Sequence, residues 1–80
     1  MERETKIEVG EKYRHFKGGI YEIVAVARDC EDPKKEFVVY KMLYKSPKYP
    51  VGTVWAREKN NFLEEITRDG KTLWRFEEIV

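Results

Sequence analysis

Disulfide cross-links within the chain are excluded, because Cys30 is its only cysteine. The same scarcity extends to other reactive side chains, with a single histidine, His15, and a single serine, Ser46. Structural zinc takes about four Cys or His ligands and catalytic zinc about three protein ligands. No metal or other cofactor is therefore expected. Ser46 sits in a proline-flanked loop without the glycine-rich elbow that exposes a nucleophilic serine. Cys30 is followed by Glu31 and Asp32, whose negative charge disfavours an activated thiolate. Neither glycine signature of a phosphate cradle is present. Charge of one sign is not in excess either: 16 basic and 15 acidic residues leave a net charge of +1. Only local patches, not bulk charge, can select a partner. No apolar run approaches the roughly 18–20 residues of a membrane span, and MERETKIEV at the start lacks the apolar centre of a secretory signal. A soluble cytoplasmic protein with no membrane partner is expected.

What the chain does have is rings and β-branched residues. In 80 residues, 14% are aromatic, and each ring buries roughly 150–250 Å² in a core that must be filled efficiently at this size. Residues 1–80 are expected to form a single small domain, with the first few residues loose. Turn signals recur at short intervals, at Gly18-Gly19, at Glu31–Lys35, at Ser46–Pro50 and at Asp69-Gly70. Between them lie β-rich runs, Ile20–Arg28, Phe37–Tyr44, Thr53–Arg57, Phe62–Arg68 and Lys71–Phe76. Asp-Gly predicts a type I′ hairpin. Glu58–Glu65 predicts one or two helical turns. Ile20–Arg28 is apolar on both alternating faces, which a bent strand accommodates by turning one face to the core early and the other late. The expected fold is mainly β, a five-stranded, partly open barrel, SH3-like in outline, with a short helical turn before the C-terminal hairpin. A short sandwich is the alternative.

Around the glycine pair the chain reads Tyr13-Arg14-His15-Phe16-Lys17-Gly18-Gly19-Ile20-Tyr21. If the glycines form a two-residue turn, Phe16 faces Tyr21 and His15 faces Glu22. That structural account explains the glycines and the rings, and leaves open why Arg, His and Lys stand together.

The run YRHFKG, followed by Tyr21, Ala27, Glu31, VVYKMLY, W-x-R and a later Phe, resembles the bacterial domain-of-unknown-function family 1653. Its pattern is roughly Y-R-H-[FY]-K-G-x-x-Y, A-x-x-x-E, V-V-Y-x-x-L-Y and W-x-R-P-x-x-x-F, and the match spans Tyr13 to Phe62. One departure stands out: Glu58 occupies the position of the proline after Arg57. The resemblance implies a small, mostly β bacterial protein with no assigned activity. It transfers no catalytic or ligand-binding role, and only nominates Tyr13, Arg14, His15, Lys17, Tyr21, Glu31, Tyr40, Tyr44, Trp55 and Arg57.

Acid–base chemistry by His15 with Glu31 is the one enzymatic reading the residues permit. The structural alternative has His15 hydrogen-bonding across strands and Glu31 anchoring a turn. Binding has more behind it. Phe37 to Arg57 contains no acidic residue, and Lys41, Lys45, Lys48 and Arg57 alternate with Tyr40, Tyr44, Tyr49 and Trp55. Rings stack on bases while cations track phosphates. The expected function is a non-catalytic binding module. Its candidate ligand-binding residues are Arg14, His15, Lys17, Tyr40, Tyr44, Trp55 and Arg57, with nucleic acid or another anionic ligand as the partner. A protein–protein adaptor would use the same aromatics, and Tyr40, Tyr44 and Trp55 could equally be core rings.

Overall fold

The structure, a computed structural model, describes residues 5–79. The expected loose start concerns residues 1–4, which lie outside the described residues. In chain order the elements are β1 (Lys12–His15), β2 (Ile20–Arg28), β3 (Glu36–Met42), β4 (Val54–Glu58), α1 (Lys59–Phe62), β5 (Glu65–Arg68), β6 (Lys71–Trp74) and β7 (Phe76–Ile79). The protein is mainly β, as expected. Five strands form one antiparallel sheet in the order β4-β3-β2-β1-β7, which does not close into a barrel, and β5 and β6 form a separate two-stranded sheet.

The opening motif is a three-residue loop rather than the expected two-residue turn. His15 accepts from the Gly18 N–H at 2.7 Å and donates to the Gly19 carbonyl at 2.8 Å, leaving Phe16, Lys17 and Gly18 between the flanking residues. Gly18 has φ of +107°, the left-handed value such a loop needs at its last position. Gly19 is small for a different reason: a Cβ there would stand 2.7 Å from the Tyr44 ring. The register becomes Tyr13↔Tyr21 and Arg14↔Ile20, so the expected pairs Phe16–Tyr21 and His15–Glu22 do not form. Phe16 leaves the β1–β2 pair, and its N–H donates to the Arg75 carbonyl at 3.0 Å.

β2 changes face midway. Its pairing with β3 runs Ile23↔Tyr40 and then Ala25↔Val39, with a bulge at the intervening Val24. Tyr21 and Ile23 therefore share the side of Met42 and Tyr40, whereas beyond the bulge Val26 takes the side of Val38. The change of face is the one expected of a strand apolar on both sides, but Val26 stays 36% exposed, so the later half is not buried as the earlier half is.

The inner face of the sheet carries the core. Tyr13, Ile23, Val38, Tyr40 and Phe76 are buried on it with Phe62 of α1. Phe62 and Phe76 stack at 4.2 Å between centroids, and Tyr13 and Tyr40 meet Phe62 at 5.2 and 5.5 Å. The single helical turn is as short as its consecutive asparagines predict, and it serves to seat Phe62. Glu58 has φ of −58° as it leads into that turn, the angle a proline would fix. At Asp69-Gly70 both residues have positive φ, 53° and 76°, between the paired Arg68 and Lys71. The C-terminal arrangement differs from expectation. Lys71–Phe76 is interrupted at Arg75, and β7 crosses to pair with β1, His15↔Phe76 and Arg14↔Glu77. Among the described residues, no helix is long and apolar enough to cross a membrane.

Candidate functional site

Pairing decides which candidates meet, because directly opposed residues share a face. His15 lies opposite Phe76, Tyr40 opposite Trp55, and Val38 opposite Arg57, so His15, Tyr40, Trp55 and Arg57 all belong to the inner face. Tyr44, just past β3, swings over Gly19 and brings its hydroxyl to 2.6 Å from that of Tyr21. Tyr21 in turn packs edge-on against Tyr40 and Phe76, at 5.2 and 5.8 Å. The result is a floor of tyrosine and phenylalanine rings at the end of the sheet bearing the glycine loop.

Arg57 stands beside this floor. Its Nε donates to the Tyr40 hydroxyl at 3.1 Å and its Nη1 to Asn61 Oδ1 at 2.6 Å. The guanidinium lies 5.6 Å from the Phe76 centroid. Asn61 is itself oriented, donating from Nδ2 to Glu64 Oε2 at 3.0 Å. Arg75 joins the same group, with its Nε 3.2 Å from the Asn61 carbonyl and an ion pair to Glu64 at 3.7 Å. Among the described residues no carboxylate lies within ion-pair distance of Arg57.

His15 senses these charges. Burial, and then the positive charges of Arg57, Lys17 and Arg75, lower its pKa to about 4. Its Nδ1 accepts the Lys17 N–H at 3.1 Å, which suits a neutral ring with the proton on Nε2. Burial and then the bond to Tyr44 raise the pKa of Tyr21, so its hydroxyl stays protonated.

Two candidates lie apart from this cluster, and one is already consumed by packing. Arg14 points to the outer face, opposite Glu77 and Ile20. It lines a cleft of about 330 Å³ with Phe16, Glu65, Leu73 and Trp74 under the β5–β6 hairpin, and His15 forms the wall between cleft and cluster. Lys17 sits exposed on the loop, 5.7 Å from the Phe16 centroid. Tyr40 is a core ring, 4% exposed, whose hydroxyl serves to position Arg57. Trp55 is half-buried against Tyr49 at 4.8 Å. Glu31 is exposed in the β2–β3 loop, its N–H donating to Asp29 Oδ1 at 2.8 Å. It lies beyond one end of β2 and His15 beyond the other, so the two cannot share a proton.

Asn61 and Arg75 were not legible as site residues. Asn61 reads only as a poor helix former, and Arg75 falls inside what reads as a continuous strand. Tyr21 carried a signal in the motif, but its partner Tyr44 depends on the loop geometry at Gly19.

The fold and this cluster define a small antiparallel β domain with an arginine and a neutral histidine set over tyrosine rings. The chain belongs to the family described as proteins of unknown function, DUF1653, whose model matches residues 11–78. It is similar to a member of that family from Bordetella bronchiseptica, known from a crystal structure. The two are 27% identical with a TM-score of 0.74, over 92% of this chain and 88% of that one. No curated protein matches the chain.

Proposed function

We propose that the protein is a non-catalytic binding module that takes an anionic group, with Arg57 as its main contact. The supporting observation is the unsatisfied guanidinium. Arg57 is half-buried and held by Tyr40 and Asn61, which engage two N–H groups of the five that arginine offers. A charge with that much fixed orientation and no carboxylate partner is ready for a phosphate or carboxylate. Neutral His15 adds a donor without adding charge, and the Tyr21–Tyr44 pair, in which one hydroxyl donates to the other, adds one more. Half-buried Trp55, on the same face, is the ring on which a flat group would stack. Single-stranded nucleic acid combines both features and is the leading ligand. A protein adaptor would use the same rings, but an unpaired arginine favours an anion.

Fluorescence anisotropy with a labelled single-stranded oligonucleotide tests this reading. Affinity should fall steeply with salt, and Arg57→Met should weaken binding and reduce the salt slope by about one. Absence of binding at low salt, or a variant that binds as well as wild type, would contradict it.

A further inference from the structure

β4 is an edge strand, and the hydrogen-bond alternation shows which of its groups are free. In an antiparallel pair, opposed residues alternately exchange both bonds or neither. Met42 donates to the Thr53 carbonyl at 2.9 Å, and the register continues without a shift through Tyr40↔Trp55 and Val38↔Arg57. Trp55 and Arg57 therefore direct their backbone groups at β3, as does the Thr53 carbonyl, while the Thr53 N–H donates to the Pro50 carbonyl at 3.2 Å. Val54 and Ala56 direct theirs away from the sheet, as does the Glu58 N–H. None of these outward groups meets a backbone partner among the described residues.

Natural edges are usually guarded by lysine, proline or a bulge. β4 itself holds no lysine, proline or bulge, although a bulge at Gly52-Thr53, where the Gly52 N–H donates to the Met42 carbonyl at 2.9 Å, precedes it. Its outer-face side chains are Val54, 54% exposed, the exposed Ala56 and Glu58, which lies opposite Phe37. We propose that β4 pairs antiparallel with β4 of a second copy, joining two five-stranded sheets into one. The register that uses all the outward groups but the Val54 N–H places Ala56 on the two-fold axis. There each Ala56 exchanges both bonds with its counterpart, and each Glu58 N–H reaches the Val54 carbonyl of the second copy.

The side chains are self-complementary in that register. On the inner face the indole of Trp55 lies opposite the Arg57 side chain of the second copy, a cation–aromatic pairing in both directions. On the outer face Val54 of each copy lies opposite Glu58 of the other, and between these pairs the two alanines meet with no bulk or charge between them. They continue an apolar strip that begins at Val39, the neighbour of Ala56 on β3. A register centred on Arg57 would instead oppose two guanidinium groups. Self-complementarity of this kind is what an isologous interface requires, and it selects a second copy over an unrelated peptide. The register draws on Trp55 and Arg57, which the anion-binding reading also uses, so the test substitutes Ala56 and Glu58, which take no part in that cluster.

Sedimentation velocity of the full chain over a concentration series tests it by charge exchange. In an exchanging pair the two Cα atoms lie about 5.5 Å apart. Ala56→Lys alone and Ala56→Glu alone should each be monomeric, because like charges are opposed. An equimolar mixture should recover the dimer. Glu58→Pro, which removes an outward N–H at a position already at the proline angle, should also be monomeric while retaining the wild-type circular dichroism spectrum. A wild-type chain that stays monomeric throughout would overturn the proposal, and so would single variants that dimerise as wild type does. A mixture no more dimeric than its components would also overturn it.

Discussion

His15 shows how position rather than residue type sets chemistry. Its pKa falls from 6.5 to about 4, so the unfolded chain binds a proton in that interval and the folded chain does not. Stability must then rise with pH from about 4 to 6.5 and level off above. Protonation would also remove the Nδ1 acceptor used by the Lys17 N–H. Carboxylates titrate in the lower part of the same range, so the contribution is isolated by difference. Urea midpoints of wild type and His15→Gln should converge as pH falls from 6.5 to about 4 and keep a constant separation above 6.5. A separation that does not change with pH would show that the histidine is not held neutral. Arg57 and Gly19 carry the same lesson. The arginine is set apart by its lack of an acidic partner, and the glycine by the ring that crosses it at 2.7 Å from where a Cβ would stand.

At the scale of the element, the β4–α1 junction makes the most direct prediction. Glu58 combines φ of −58° with an N–H that faces away from β3, and Arg57 before it is extended, as a residue preceding proline must be. Glu58→Pro should therefore leave the folding free energy unchanged or raise it by up to about 1 kcal/mol. The exposed ion pair to Lys35 at 3.8 Å that it removes contributes little. Chemical denaturation at a concentration where wild type is monomeric would check this, and a loss above about 1 kcal/mol would mean the edge assignment is wrong. Elements with strong local chemistry were readable in advance: the Asp69-Gly70 hairpin, the limits of β2 and the single turn before the final hairpin. The double apolar pattern of β2 called for a bend, which the bulge at Val24 supplies. The glycine-pair register was not readable, because two adjacent glycines fit a two-residue turn as well as a loop ending at Gly18. The choice is made by non-local partners, Tyr44 over Gly19 and the Arg75 carbonyl on Phe16. The break at Arg75 was hidden for the same reason, since β7 is defined by β1 and not by its own sequence.

At the scale of the whole molecule, the sheet divides the cations that the sequence grouped together. Arg57 and His15 stand on the inner face at the glycine-loop end. Arg14 faces outward into the cleft under the β5–β6 hairpin. Adjacent residues on one strand point to opposite sides, so Arg14 and His15 could never have shared a face, and the motif serves two surfaces. The acid-free stretch from Phe37 to Arg57 supplied Tyr40, Trp55 and Arg57 to the inner face, but the sequence could not reveal that Tyr40 is covered and works through its hydroxyl alone. The central claim is that the inner-face arginine, not the outer one, receives an anion. The side-chain Nε–H resonance of Arg57, followed by NMR while a short single-stranded oligonucleotide is added at low salt, tests it most directly. The account predicts that Arg57 and His15 resonances shift together and return when salt is raised. Shifts at Arg14 and Trp74 with Arg57 unmoved would contradict it.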